Sequence, residues 1–185
     1  MKSIFFVRFI LSLIAAISIA ATSLVALAQT KSALEADAQQ AYQNLMSEVP
    51  AAKMLSKDAV AILIFPKITK GGFVVGGQYG EGVLMKDGAV IGYYSTAGGS
   101  YGLQVGVQQF GYAMFFMKNE ALNALNDTGG FEIGVGPSIV LIDEGMAKST
   151  SSITMKEDVY AFIFGQKGLM AGLGLQGNKI SKLNK

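Results

Sequence analysis

The sequence predicts an α+β domain: a strongly curved, glycine-rich antiparallel sheet or barrel-like roll carrying two or three helices. Three observations lead there. All 23 glycines lie at or after residue 71, behind a glycine-free front with helical spacing. Several later stretches alternate their side chains with a period of two, as a strand does. Asp87-Gly88 sits between two strand-like runs and suits the positive φ angles of a two-residue hairpin turn.

The chain opens with Lys2 and Arg8 ahead of an apolar stretch ending in Ala26-Leu27-Ala28, the small-x-small pattern of a signal-peptidase site. Residues 1–28 therefore read as a signal peptide cleaved after Ala28, with 29–185 as a single domain. An uncleaved anchor is the alternative, because Phe9 to Leu27 is nearly long enough to span a bilayer.

Residues 32–49 repeat apolar side chains at Leu34, Ala38, Ala41, Tyr42, Leu45, Met46 and Val49, an amphipathic helix. Ser32 and Glu35 have capping-box spacing at its start. A short helical turn is expected after Pro50, around "AAKML". "AVAILIF", residues 59–65, is apolar throughout, so it reads as a strand buried on both faces and closed by Pro66. The Asp87-Gly88 hairpin follows. Tyr101, Leu103, Val105 and Val107 then alternate with Gly102, Gln104, Gly106 and Gln108; Phe131, Ile133 and Val135 with Glu132, Gly134 and Gly136; and Leu169, Ala171, Leu173 and Leu175 with Met170, Gly172, Gly174 and Gln176. A helix over "NEALNAL", capped by Asn119, interrupts them.

Glycine weakens a strand, so "GGFVVGGQYGEG" (71–82) needs a reason. Glycines sharing one face make that face shallow, which permits tight curvature, close helix packing or a ligand groove. On this reading a branched side chain at Gly106 would enter reserved space, whereas Gln108→Thr would be mild.

Charge and composition exclude several functions. Loss of Lys2 and Arg8 with the leader leaves as many lysines as acids and no arginine, so nucleic acid is not an expected partner. There is no cysteine for a disulfide or lipid attachment. Gly98-Gly99-Ser100-Tyr101-Gly102 has the form of a nucleophile elbow, but the chain has no histidine to activate Ser100. Gly172 to Gly177 matches a dinucleotide fingerprint without a following helix or acidic residue. Without imidazole or thiolate no transition-metal site is expected, and Asp143-Glu144 and Glu157-Asp158 read as solvated turns rather than calcium ligands. Neither cofactor nor catalysis is expected.

The candidate binding residues are Lys53, Lys57, Lys67 and Lys70, which flank the first strand. "FPKITKGG" reads as a loop in which Lys67 and Lys70 supply point charges and the Gly71 and Gly72 amides form an anion nest for a phosphate headgroup. Ordinary solvated lysines at a strand end are the alternative.

"AVAILIFPKITKGGFVVGGQYGEGVLM" resembles the opening of the SYLF domain: an apolar strand, "FPK", a basic residue, "GF" and a glycine-spaced strand. "STAGGSYGLQVGVQQFGYAMFFMKNEALNAL" is similar to that family's glycine-rich segment and following helix, and "FGQKGLMAGLGLQG" to its "KGLFAG" strand. The likeness runs over about residues 33–180. It implies a lipid-binding domain with peripheral membrane association and a preference for acidic lipids; some eukaryotic members also bind actin. Carried to this chain it points to Lys67 and Lys70, and less firmly to the front helix.

An exported chain lacking arginine would meet anionic membrane lipids of a cell envelope rather than phosphoinositides or actin. The expected function is therefore periplasmic or cell-envelope binding of anionic phospholipid, with no protein partner identified. A structural or stress-related envelope protein acting through protein contacts is the rival. An outer-membrane barrel is not expected, because the strand glycines and glutamine faces give no continuous apolar lipid-facing band.

Overall fold

The computed structural model describes residues 30–126, 130–133, 137–142, 156–167 and 177–185. The leader, the Val135 position, Asp143-Glu144 and the alternating run 169–176 lie outside them.

Two very long strands dominate: β1 (Ala61–Lys86) and β2 (Ala89–Phe116), paired antiparallel along their length. Asp87 (φ 51°) and Gly88 (φ 78°) form the hairpin between them, both in the left-handed region the sequence requires of that turn. The four short strands are β3 (Phe131–Glu132), β4 (Ile139–Ile142), β5 (Val159–Lys167) and β6 (Lys179–Leu183). β5 pairs with the second half of β2 and β6 with the first half, β3 adds to β6, and β4 runs parallel to β5. Among the described residues the result is one strongly curled half-barrel sheet with three helices.

The helices are α1 (Lys31–Glu48), α2 (Pro50–Leu55) and α3 (Asn119–Ala124). Two of their start signals differ from expectation. α1 begins at Lys31, so Ser32 lies inside the first turn, and Glu35 instead accepts a hydrogen bond from the Tyr93 hydroxyl of β2. Lys31 Nζ stands 5.1 Å from the Tyr93 ring centroid, and the two contacts anchor the helix to the sheet. For α3 the cap position is Lys118, with Asn119 already helical.

Within "AVAILIF" the strand begins at Ala61, and Ala61 to Phe65 are buried on both faces, as their unbroken apolar run demands, while Ala59 and Val60 precede it half-buried. Leu63 and Phe65 join an inner core with Tyr94, Phe110, Tyr112, Met114 and α3, while Ile62 and Ile64 join an outer core with Leu34, Ala38, Leu45, Leu55 and Phe115. Pro66 does not close this strand. The register with β2 shifts between Phe65 and Ile68, and such an irregularity admits a residue without an N–H while the strand continues.

The glycines explain the curl. Between Gly80 and Gly82, β1 passes over its own beginning: a Cβ on Gly80 would stand 2.6 Å from Ile68 Cγ1 and 2.8 Å from the Lys67 carbonyl oxygen, and one on Gly82 would lie 2.7 Å from Phe65 Cδ1. Real side chains do not approach this closely, so only glycine lets the two halves of one strand close face to face. Gly111 is similarly pressed by Phe164 and the Pro66 carbonyl. Gly106 is different. A Cβ there would meet nothing within 4 Å, and its φ of +130°, not reserved space, is what favours glycine.

Candidate functional site

The curl sorts the six residues singled out as binding candidates. Lys53 on α2 and Lys57 in the turn after it are exposed. Lys67 is exposed on β1, six residues beyond the strand's first position, or about 20 Å of extended chain. Lys70 is only 5% exposed, on the face that carries Ile68 inward. "FPKITKGG" is thus strand rather than loop, because β2 offers a continuous partner: Lys70 pairs with Gln108, Gly71 with Val107 and Gly72 with Gly106. Successive amides of an extended strand point to opposite sides, so those of Gly71 and Gly72 do not converge as a nest would require. The four lysines therefore do not form one loop-borne patch.

What the fold does bring together is Lys57 with Lys86. The close approach of Gly82 to Phe65 returns the hairpin end to the start of β1, and the two lysines border a surface depression of about 190 Å³. Tyr42, Val60, Ile62 and Met85 give it some apolar surface, but its accessible lining is mainly polar, with Ser56, Asp87 and Gly88 beside the two lysines. Met54, 40% exposed, lies on α2 beside Lys53. Cationic side chains next to exposed apolar surface suit the boundary of a membrane, where each finds its own medium. Lys86 was not a sequence candidate, since it lies 29 positions from Lys57 and only the closure of β1 on itself makes them neighbours. No described helix is long and apolar enough to cross a membrane.

A second polar group sits inside the roll. Beyond Phe65, Phe110 and Tyr112, the inner face carries Lys70, Gln78, Thr96, Gln108 and Asn178, each no more than 7% exposed. Burial pushes the Tyr112 phenol well above its usual range. The nearby Thr96 hydroxyl counters the rise only in part, without meeting hydrogen-bond geometry. Sequence reading missed this layer, though a signal exists: Gln78 and Gln108 occupy the same period-two positions as Leu84, Phe110 and Tyr112, where the interior is otherwise apolar.

The turn acids also differ from expectation. Asp158 accepts a hydrogen bond from Lys118 Nζ at 2.6 Å and others from the Ser138 amide and hydroxyl, so it ties the start of β5 to those of β4 and α3. These donors, Lys118 first, hold its carboxyl below the usual range.

Residues 97–185 match the family model described as Ysc84, Las17-binding protein actin regulator. The match runs from the middle of β2 through β6, slightly less than half the chain, and is consistent with a SYLF domain family protein, as the sequence motifs imply. No curated protein matches the chain.

Proposed function

We propose that this chain is an exported, non-catalytic protein of the periplasm or cell envelope that binds anionic phospholipid at the membrane surface. The observation that carries the reading is the placement of Lys57 and Lys86 on one depression of mixed polar and apolar lining, with Lys53 and the exposed Met54 on the preceding helix α2. The association of the SYLF family with lipid binding supports it. The chain has no global basic field, so a local patch must find acidic headgroups, and Lys67 adds a separate point of attraction. Lys70 lies inside the roll and contributes none of this surface attraction.

Flotation with vesicles of phosphatidylcholine, with and without phosphatidylglycerol, tests the proposal. Binding should require the anionic lipid, weaken with salt, and fall about five-fold for each of Lys53, Lys57 and Lys86 changed to Ser, at roughly 1 kcal/mol per charge. Flotation indifferent to lipid charge, salt and all three substitutions would favour the rival, an envelope protein acting through protein contacts. The matched family's description as binding Las17 supports that rival, as do the exposed Ile91 and Val107.

A further inference from the structure

The inner face of the roll is apolar at one end and polar at the other, and the polar end lacks partners. Among the described residues, Gln78 Nε2, Thr96 Oγ1, Gln108 Oε1, Tyr112 Oη and Asn178 Nδ2 are buried without a hydrogen bond. Lys70, almost fully buried, has no carboxylate paired with it among the described residues. Each such group is costly to bury unsatisfied, and apolar side chains of the same shape would avoid that cost. A single orphan is tolerable. Five orphan atoms gathered on one face, with the Lys70 side chain on the same face, indicate a place prepared for something else.

Their positions converge through the curl. Lys70 is the direct cross-strand neighbour of Gln108, and Gln78 that of Gly98. Asn178 packs against Gly98 where a Cβ would be, with Gln78 Nε2 3.5 Å from the same point. Gly82 passes over Phe65 and Gly80 over Ile68, so the next inward step of β1 carries Gln78 toward Lys70. Thr96 pairs with Gly80 on that face and approaches Tyr112, at the border of the aromatic core.

We propose that this polar end of the roll interior is a binding site for a phosphate-bearing anion, held by the Lys70 ammonium and by the Gln78 and Asn178 amides. The chemistry follows from the groups: an ammonium, two amide N–H₂ groups and two hydroxyls can donate, against the unpaired Gln108 carbonyl as acceptor. A phosphoryl group, with several acceptor oxygens and negative charge, satisfies such a set better than a neutral ligand does. The source is either a free phosphate ester or a phospholipid headgroup drawn into the roll. The site is separate from the surface depression and stands whether or not the exposed lysines bind a membrane.

Calorimetric titration of the full chain with glycerol 3-phosphate, and separately with dihexanoyl phosphatidylglycerol below its micelle concentration, tests the site. Saturable binding of at least one probe is expected, weakened ten-fold or more by Lys70→Met and by Gln78→Leu and unchanged by Lys67→Ser. Binding of both probes marks the phosphate ester itself as the ligand; binding of the lipid alone marks a headgroup that needs its glycerol and acyl attachment. Lys70→Met should melt no lower than the parent, which separates lost binding from lost folding. Gln78→Leu serves as the second binding variant if it does. Failure of both probes to saturate, or affinities that ignore Lys70→Met and Gln78→Leu alike, would overturn the proposal and leave a hydrated polar core.

Discussion

Gly82 lies against the carbonyl oxygen of Ile64 with no room for a Cβ between them, so a single strand packs on its own beginning. That contact closes the roll and sets Lys86 and Lys57 on one depression. Strand glycine at this point trades backbone entropy for closure.

The first prediction concerns that closure. Gly80→Ala and Gly82→Ala should each destabilise the domain by about 1–3 kcal/mol, because the added methyl meets backbone that cannot swing aside. Gly99→Ala, where a Cβ meets nothing within 4 Å, should stay within roughly 0.5 kcal/mol of the parent. Urea titrations of the three variants decide it, and equal losses would show that the self-crossing is loose.

Gly106 is sensitive for another reason. Gly106→Ala should already cost about 1 kcal/mol, since its φ of +130° strains any L-residue, although the space around it is open. A packing mechanism would instead leave alanine harmless and penalise only valine. Gln108, expected from sequence to tolerate change, is 2% exposed with an unpartnered carbonyl. Gln108→Leu should accordingly be neutral or stabilising by up to about 1 kcal/mol in the same titration, while a destabilised variant would mean that the carbonyl has a partner after all.

Stability should carry an acid limb from Asp158. Its carboxyl titrates below the ordinary range in the folded protein, chiefly through Lys118 and the Ser138 amide. The charged form is therefore favoured by folding. The contribution is complete above the unfolded value of about 3.9 and is lost as pH falls through the lower folded value. Thermal midpoints of the parent should drop between about pH 5 and pH 2 more than those of Asp158→Asn. Parallel curves would show the Lys118–Asp158 pair to be without consequence.

Export carries its own test. The mature protein purified from the envelope of its host should begin at Gln29 on N-terminal sequencing, as Ala26-Leu27-Ala28 directs. Recovery of a membrane-bound chain that still begins at Met1 would replace cleavage with anchorage.

Local signals proved readable wherever the cause was local. The Asp87-Gly88 turn, the two-faced burial of "AVAILIF" and the buried stripe of Leu34, Ala38 and Leu45 follow from backbone preference and from hydrophobic period, which neighbours only reinforce. Helix starts were less legible. Glu35 found a better partner in Tyr93, 58 positions away, and a side-chain competition of that kind leaves no trace in spacing.

By itself the sequence determined that a glycine-rich curved sheet would follow a helical front, because propensity, period and turn chemistry act over a few residues. Only the tertiary structure decided that Pro66 to Gly72 continue a strand, that Lys70 turns inward while Lys67 stays in water, and that Lys86 joins Lys57. These depend on where β1 crosses itself. The crossing is set by contacts between Gly80 or Gly82 and residues some twelve to eighteen positions earlier, and a one-residue change of phase along a strand moves a side chain from solvent to core.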